Sequence, residues 1–215
     1  MNSFVNTFLL VYAGLFPIVN PFGSAPLFLG FTESYAEKQR NTLALQIAIN
    51  SFFLLLGSML IGSHVLEFFG ISLPTVRIAG GLVVTAFGWK LLNSSTVSDA
   101  SHASDHVVDE DPDSFYPLTM PLTVGPGSIS VAITIGSQRP GTADVEQFLA
   151  VAAAAAVSIL AIAATVYFCY RFAQRMVSSL GHGGTNVVVR LSAFILLCIG
   201  IQILWGGLSQ LLHLA

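Results

Sequence analysis

Two clusters of proline, glycine and small polar residues interrupt apolar segments of this chain, about one hundred residues apart. The clusters comprise Asn20-Pro21 with Gly23-Ser24, and Thr123 with Gly125-Pro126-Gly127-Ser128. Asparagine or glycine caps a helix and proline suits its first turn, so each cluster predicts a helix that begins inside an apolar segment. The first amides of a helix lack intrahelical acceptors and carry about half a positive charge, which suits a carboxylate.

These residues predict a binding site built mainly from backbone. Gly23, Gly125 and Gly127 would let a ligand approach the main chain closely. The hydroxyls of Ser24, Thr123 and Ser128 would add polar contacts. The alternative is that the prolines and glycines only kink and pack helices, which is common in membrane proteins. Two such clusters at corresponding places favour the binding interpretation.

The composition places the chain in a lipid bilayer. Hydrophobic residues make up 54% of it and charged residues 9%, whereas soluble domains carry about 25% charged residues. Apart from their ends, the apolar segments contain no charged residue or histidine. Proton relays and cation pathways in membranes depend on such groups. The interior therefore suits a small neutral or zwitterionic solute.

The apolar segments predict an all-α fold with six transmembrane helices. They lie near Phe4 to Phe31, Leu43 to Phe69, Leu73 to Leu92, Tyr116 to Gly136, Val145 to Phe172 and Val187 to Leu212. A span needs about 20 apolar residues, so the first segment is long enough to contain two half-helices. A linker rich in Asp, Ser and His divides the chain into a first repeat (1–92), a cytoplasmic linker (93–115) and a second repeat (116–215).

The two halves resemble each other in order and in detail. Each reads as a broken helix, a plain helix and a helix with an arginine near its start, Arg77 or Arg190. Three spans per repeat is an odd number, so the second repeat is predicted to be inverted relative to the first, with a solute site at mid-membrane between them. The register is open: Asn20-Pro21 aligns with Met120-Pro121 by proline spacing, or with Gly125-Pro126 by helix start.

Basic residues predict the orientation. Six lysines and arginines would lie on one face of a six-span protein, whereas Arg77 and Arg139 would lie near the other. The positive-inside rule makes the first face cytoplasmic and places the N-terminus outside. Arg77 is interpreted as an interfacial anchor, with a gating contact to Glu67 as the alternative.

Other site classes find little support in the sequence. No cofactor motif or nucleophile with its base is present, and the basic residues form no nucleic-acid patch, so no catalytic activity and no nucleic-acid partner are predicted. His102 and His106 lie among aspartates of the linker, but their spacing matches no ordered zinc pattern, which favours a solvated linker over a metal site.

The chain resembles the MarC family of bacterial inner-membrane proteins. The matching stretches are Gly14-Leu15-Phe16, Val19-Asn20-Pro21-Phe22-Gly23, Phe69-Gly70-Ile71-Ser72, Arg77-Ile78-Ala79-Gly80-Gly81, Pro121-Leu122, Gly125-Pro126-Gly127-Ser128-Ile129-Ser130, Asn186-Val187 with Arg190, and Gly200-Ile201. They cover nearly the whole chain in the expected order. Pro17 and Ser24 depart from the family's pattern, where ordinary apolar residues are expected.

The resemblance implies a function. It implies six spans, an outside N-terminus and kinship with SnatA, a transporter of glycine and alanine, and more distantly with LysE-type exporters. It carries the binding role onto Asn20, Pro21, Gly23, Gly125, Pro126 and Gly127. Coupling to protons or sodium and a homo-oligomeric state are left open, and no buried carboxylate is available to carry a proton.

The sequence predicts a carrier of small neutral amino acids, with other classes as alternatives. An exporter or channel for another small neutral solute is one alternative, although a channel would need a continuous polar lining and the interior has few polar residues. A non-transporting membrane protein would use the acidic linker to bind its partner. A membrane enzyme is disfavoured because no acid–base pair lies within the spans.

Overall fold

A computed structural model describes residues 3–93, 114–116, 118–137 and 145–212 of the chain. Every regular element within these ranges is a helix, as the sequence predicts. The helices are α1 (Ser3–Val19), α2 (Pro21–Phe31), α3 (Glu37–Phe68), α4 (Leu73–Asn93), α5 (Leu118–Thr123), α6 (Pro126–Ser137), α7 (Val145–Arg171) and α8 (Ala173–Leu211). The short α5 is π-helical, with the Val124 amide donating to the Thr119 carbonyl at 2.8 Å.

Five helical segments are long and apolar enough to cross a membrane. They are Phe4–Phe31, Glu37–Phe68, Leu73–Asn93, Leu149–Arg171 and Gly183–Leu211. Large apolar side chains on their outer surfaces, such as Phe53, Trp89 and Val187, are more than half exposed. Extensive exposed apolar surface is typical of proteins that contact lipid.

One of the six predicted spans differs from the structure. The predicted segment from Tyr116 to Gly136 forms two short helices, α5 and α6, and neither is long enough to count as a span by itself. The last predicted span, Val187 to Leu212, corresponds to the segment Gly183–Leu211, although its helix α8 starts earlier, at Ala173, and passes through an interruption at Gly181 (φ 65°, ψ 177°). A positive φ of this kind favours glycine. Residues 94–113 of the linker, Pro117 and Arg139 lie outside the described residues.

Glycines let α4 and α8 pack with their backbones in contact. A Cβ at Gly81 would lie 2.8 Å from the Gly200 carbonyl oxygen, and one at Gly88 would lie 3.0 Å from the Ala193 carbonyl oxygen. Residue numbers therefore rise along α4 as they fall along α8, so the two helices are antiparallel. Small residues at such contacts are the usual basis of close helix packing in membranes.

Arg77 ties three helices together at the start of α4. Its Nε donates to Thr134 Oγ1 of α6 at 3.2 Å, and its Nη1 donates to Gln210 Oε1 of α8 at 2.8 Å. These recorded bonds go to neighbouring helices and not to Glu67, so the gating alternative finds no support in the described residues. Arg77 links α4, α6 and α8.

Ser51 of α3 provides a test of core packing. Its side chain is fully buried, and its Oγ is the one buried side-chain polar atom without a hydrogen-bond partner among the described residues. A buried polar group without a partner costs about 1–3 kcal/mol. Ser51→Ala is therefore expected to leave the melting temperature of the purified protein unchanged or to raise it. A melting temperature lower by several degrees would show that the hydroxyl has a partner.

Candidate functional site

The first helix break lies at Asn20, between α1 and α2. Asn20 adopts a left-handed conformation (φ 45°, ψ 58°), which ends α1 and redirects the chain. Its side-chain Oδ1 accepts a hydrogen bond from the Gly23 amide at 3.3 Å, and Pro21 is the first residue of α2. The predicted cap is thus confirmed. Pro17 does not make the break, since it lies inside α1.

The second break lies between α5 and α6. Helix α6 begins at Pro126, and the Gly125 carbonyl accepts from the Ile129 amide at 3.1 Å and from Ser128 Oγ at 2.9 Å. Gly125-Pro126 therefore starts a helix as Asn20-Pro21 does, whereas Met120-Pro121 lies within α5.

The start of α6 has free hydrogen-bond donors. The amides of Gly127 and Ser128 belong to the first turn, where no intrahelical acceptor exists. Neither has an acceptor in the part of the chain that the structure describes. Gly125 has no side chain to cap them, whereas Asn20 caps Gly23 at the other break. The N-terminus of α6 is therefore more open to an anion than that of α2.

The end of α1 has free hydrogen-bond acceptors. Pro21 has no amide hydrogen, so the Pro17 carbonyl lacks its usual donor four residues on. The carbonyls of Ile18 and Val19 also accept no bond from the next helix, because the two helices are separate and the Gly23 amide turns to Asn20. The C-terminus of a helix carries about half a negative charge, which suits a cation.

Both breaks open into one cavity of about 180 Å³. Seven of the nine residues predicted for the site line it: Asn20, Ser24, Thr123, Gly125, Pro126, Gly127 and Ser128. Ile18 and Val19 at the end of α1 line it too. Gly127 and Ser128 of α6 and Ile18 and Val19 of α1, which carry these free amides and carbonyls, therefore line one space.

Pro21 and Gly23 lie outside this lining. Pro21 is buried in the first turn of α2. Gly23 packs α2 against α8, since a Cβ on it would lie 2.5 Å from the Ser192 Cβ. Gly127 has both roles: it lines the cavity, and an added Cβ would overlap with the Val84 side chain of α4. Gly23 thus has a packing role between α2 and α8, and its ligand contact stays a prediction.

The remaining lining residues are apolar and are not predicted by the sequence analysis. They are Ile18, Val19, Val83, Val84, Phe87, Leu122 and Leu196. Apolar residues in a membrane helix face lipid, another helix or a cavity, and periodicity does not distinguish these environments. No charged side chain is among the residues that line this cavity.

Tyr170, in the last turn of α7, is a further polar neighbour that the sequence analysis misses. Its hydroxyl lies 2.7 Å from Thr123 Oγ1, and the Ser24 side chain faces the same phenol. The Tyr170 ring stacks on Phe28 of α2, with centroids 4.5 Å apart. An aromatic residue at the end of a span resembles an interfacial anchor, so the sequence has no signal for this contact.

A second, wider cavity of about 410 Å³ lies where α2, α3, α7 and α8 meet. Phe28 and Tyr170 line it, together with the charged residues Glu37, Arg40, Arg171 and Arg175. Arg40 donates to Gln174 Oε1 at 3.1 Å, which joins the start of α3 to the start of α8. Three arginines and one glutamate give this cavity a positive lining.

The amino-acid sequence has relatives of similar length. It matches the family described as MarC family integral membrane protein over residues 4–212. Inner membrane protein MarC of Salmonella typhimurium is 29% identical over 204 residues, which cover 92% of both chains. Membrane protein YvbG of Bacillus subtilis is 30% identical over 202 residues, covering 93% of this chain and 92% of that protein. No solved structure matches the chain.

Proposed function

This chain belongs to the MarC family of integral membrane proteins, and we propose that it carries small neutral amino acids, such as glycine or alanine, across the membrane by alternating access. The observation that carries the proposal is the cavity shared by the two helix breaks. Interrupted membrane helices at corresponding places of two repeats are typical of transporter binding sites.

The charges of the backbone suit a zwitterion. The free amides of Gly127 and Ser128 would bind the carboxylate, and the free carbonyls at Ile18 and Val19 would bind the ammonium group. Helix dipoles favour the same orientation, because α6 presents its positive end and α1 its negative end. A solute with only one of these charges would leave one set of backbone groups without a partner.

The size and lining of the cavity favour a small solute without net charge. Its volume of about 180 Å³ is below the roughly 300–1,000 Å³ of pockets for drug-sized ligands. Its side chains are apolar or carry hydroxyl and amide groups. A charged side chain on the solute would be desolvated there without a counter-charge, at a cost of several kcal/mol.

The proposal includes six crossings arranged as inverted repeats, with α5 and α6 together forming the fourth crossing. What supports it is the exchange symmetry of the packing: α2 packs on α8 as α6 packs on α4, and α1 packs on α7 as α5 packs on α3. Helix α3 also packs on α7, and α4 packs on α8, so each of these contacts joins two corresponding helices of the proposed repeats. The two breaks would then lie at mid-membrane, where rocking of one repeat against the other opens the cavity to alternate sides.

The proposed location is the bacterial inner membrane with the N-terminus outside. Relatives named as inner membrane proteins support the membrane. The end of the bundle that contains Arg40, Arg171 and Arg175 supports the orientation, since the positive-inside rule makes it cytoplasmic. Export or uptake, and coupling to protons or sodium, are consistent with the same site.

Proteoliposomes test the proposed function directly. Purified protein is expected to give saturable uptake of labelled glycine or alanine above that of empty liposomes. Unlabelled alanine should compete, whereas glycinamide, which lacks the carboxylate, and propionate, which lacks the ammonium group, should not. Absence of saturable flux would count against a carrier, linear flux would indicate a channel, and competition by glycinamide would contradict the role of the α6 amides.

A further inference from the structure

The two cavities share a wall at Tyr170. Tyr170 lines the wide cavity, and its hydroxyl contacts Thr123, which lines the small one. Ser24 lines the small cavity and faces the same hydroxyl. The phenol therefore has the wide cavity on one side and the two helix breaks on the other.

Two stacked rings make up the wall. Phe28 and Tyr170 are parallel within 10°, and both line the wide cavity although they are only 1% and 2% exposed. Phe28 belongs to α2 and Tyr170 to α7. Side chains so completely covered form a buried part of the wall of this 410 Å³ space.

Hydrogen bonds hold the tyrosine in place, and their direction can be assigned. Thr123 Oγ1 donates its one hydrogen to the Leu118 carbonyl at 2.7 Å. The Tyr170 hydroxyl must then be the donor in its bond to Thr123. The Ser24 side chain faces the same phenol. Stacking on Phe28 joins Tyr170 to the first half of the chain, whereas its bond to Thr123 lies within the second half.

We propose that Phe28 and Tyr170 form the barrier between the two cavities, and that the bond from Tyr170 to Thr123 keeps it closed. The inference rests on the proposed function in one respect, that the small cavity holds the solute and the wide one is its approach. Because Phe28 belongs to the first half and Tyr170 to the second, a rocking of one half against the other separates the stacked rings and opens the passage. The arginines of the wide cavity attract the carboxylate of an approaching solute.

Thiol labelling tests the barrier without any solute. The native thiols are first removed by Cys169→Ala and Cys198→Ala. A Ser128→Cys reporter then samples the small cavity, and a Ser178→Cys reporter, at an exposed position on the wide cavity, serves as its control. A charged, membrane-impermeant methanethiosulfonate is added to inverted membrane vesicles, whose outer side is the proposed cytoplasmic face.

Tyr170→Ala is expected to speed labelling of the Ser128→Cys reporter roughly a hundredfold, as removal of a buried ring would allow. Tyr170→Phe keeps the ring and removes one hydrogen bond, so about fivefold is expected. Thr123→Val removes the other partner of the same hydrogen bond. The double variant Tyr170→Phe with Thr123→Val should therefore label at nearly the same rate as Tyr170→Phe alone. Phe168→Ala, two residues earlier on α7, exposed and outside both linings, should change nothing.

Three results would overturn the barrier. One is an unchanged rate in Tyr170→Ala while the Ser178→Cys reporter labels normally. Another is an equal increase in Phe168→Ala, which would indicate general loosening. The third result applies if Tyr170→Ala does not fold. In that case an unchanged labelling rate of the Ser128→Cys reporter in both Tyr170→Phe and Thr123→Val would overturn the barrier. Because labelling requires no solute, these results are independent of the proteoliposome test, and either hypothesis can fail while the other stands.

Discussion

Gly136→Ala is expected to destabilise the protein more than any other single methyl addition considered for its helices. Gly136 lies in α6, and a Cβ at this position would overlap with the Met59 carbonyl oxygen of α3. The obstacle is backbone, so no side-chain rotation can relieve it, and α3 and α6 must separate. Overpacking of this kind costs about 3 kcal/mol, which for a chain of this size is roughly 10 °C in melting temperature.

Gly57→Ala is the matched control for this prediction. Gly57 lies in α3, one of the two helices in that contact, and an added Cβ there meets nothing within 4 Å. Alanine is favoured over glycine in a helix by about 1 kcal/mol. Thermal unfolding in detergent should therefore show Gly57→Ala at or above the wild-type melting temperature, with Gly136→Ala well below. Similar melting temperatures for the two variants would refute the close approach of α3 and α6.

Asn20→Ala should reduce transport by more than tenfold while the protein still inserts into the membrane. Alanine is strained in the left-handed conformation by about 1–2 kcal/mol. It also removes the cap on the Gly23 amide, which costs about 1 kcal/mol. Their sum exceeds the 1.4 kcal/mol that corresponds to a factor of ten. The fraction of molecules with a correctly formed break, and hence the flux, should fall accordingly.

Asn20→Gly separates the two contributions. Glycine adopts the left-handed conformation freely but has no side-chain oxygen to accept from Gly23. Its flux in proteoliposomes should therefore lie between those of wild type and Asn20→Ala. The amount of reconstituted protein is matched by quantitative blotting. If alanine transports as well as glycine, the backbone conformation at Asn20 is not needed for transport.

Most membrane spans were predictable from the sequence, because the length and apolar composition of one segment are enough to identify a span. Apolar runs of about 20 residues predict membrane helices, and five of the predicted segments match helices of the structure. The helix start at Pro126 was predictable as well, because proline lacks the amide that would continue the previous helix. Capping by Asn20 follows from its side-chain oxygen.

Helix α8 shows where prediction from local pattern fails. Its first part, from Ala173 to Leu180, is followed by glycines at 181, 183 and 184, and this composition favours a loop. The structure has helix on both sides of Gly181, with Thr185 and Val189 buried. Burial of these side chains against other parts of the chain outweighs the local preference, and no window of sequence contains that information.

The covalent chemistry of the chain alone determined its membrane character and the places where its helices stop and restart. Both follow from transfer free energies of side chains and from missing amide hydrogens, which depend on neighbours within a turn or two. Only the tertiary structure decided that the breaks of α1–α2 and α5–α6 face one cavity. It also decided that Tyr170 bonds to Thr123 and stacks on Phe28 at the boundary of the cavity that the arginines line. These contacts join residues from 47 to more than one hundred positions apart, and helix packing, not local pattern, brings them together.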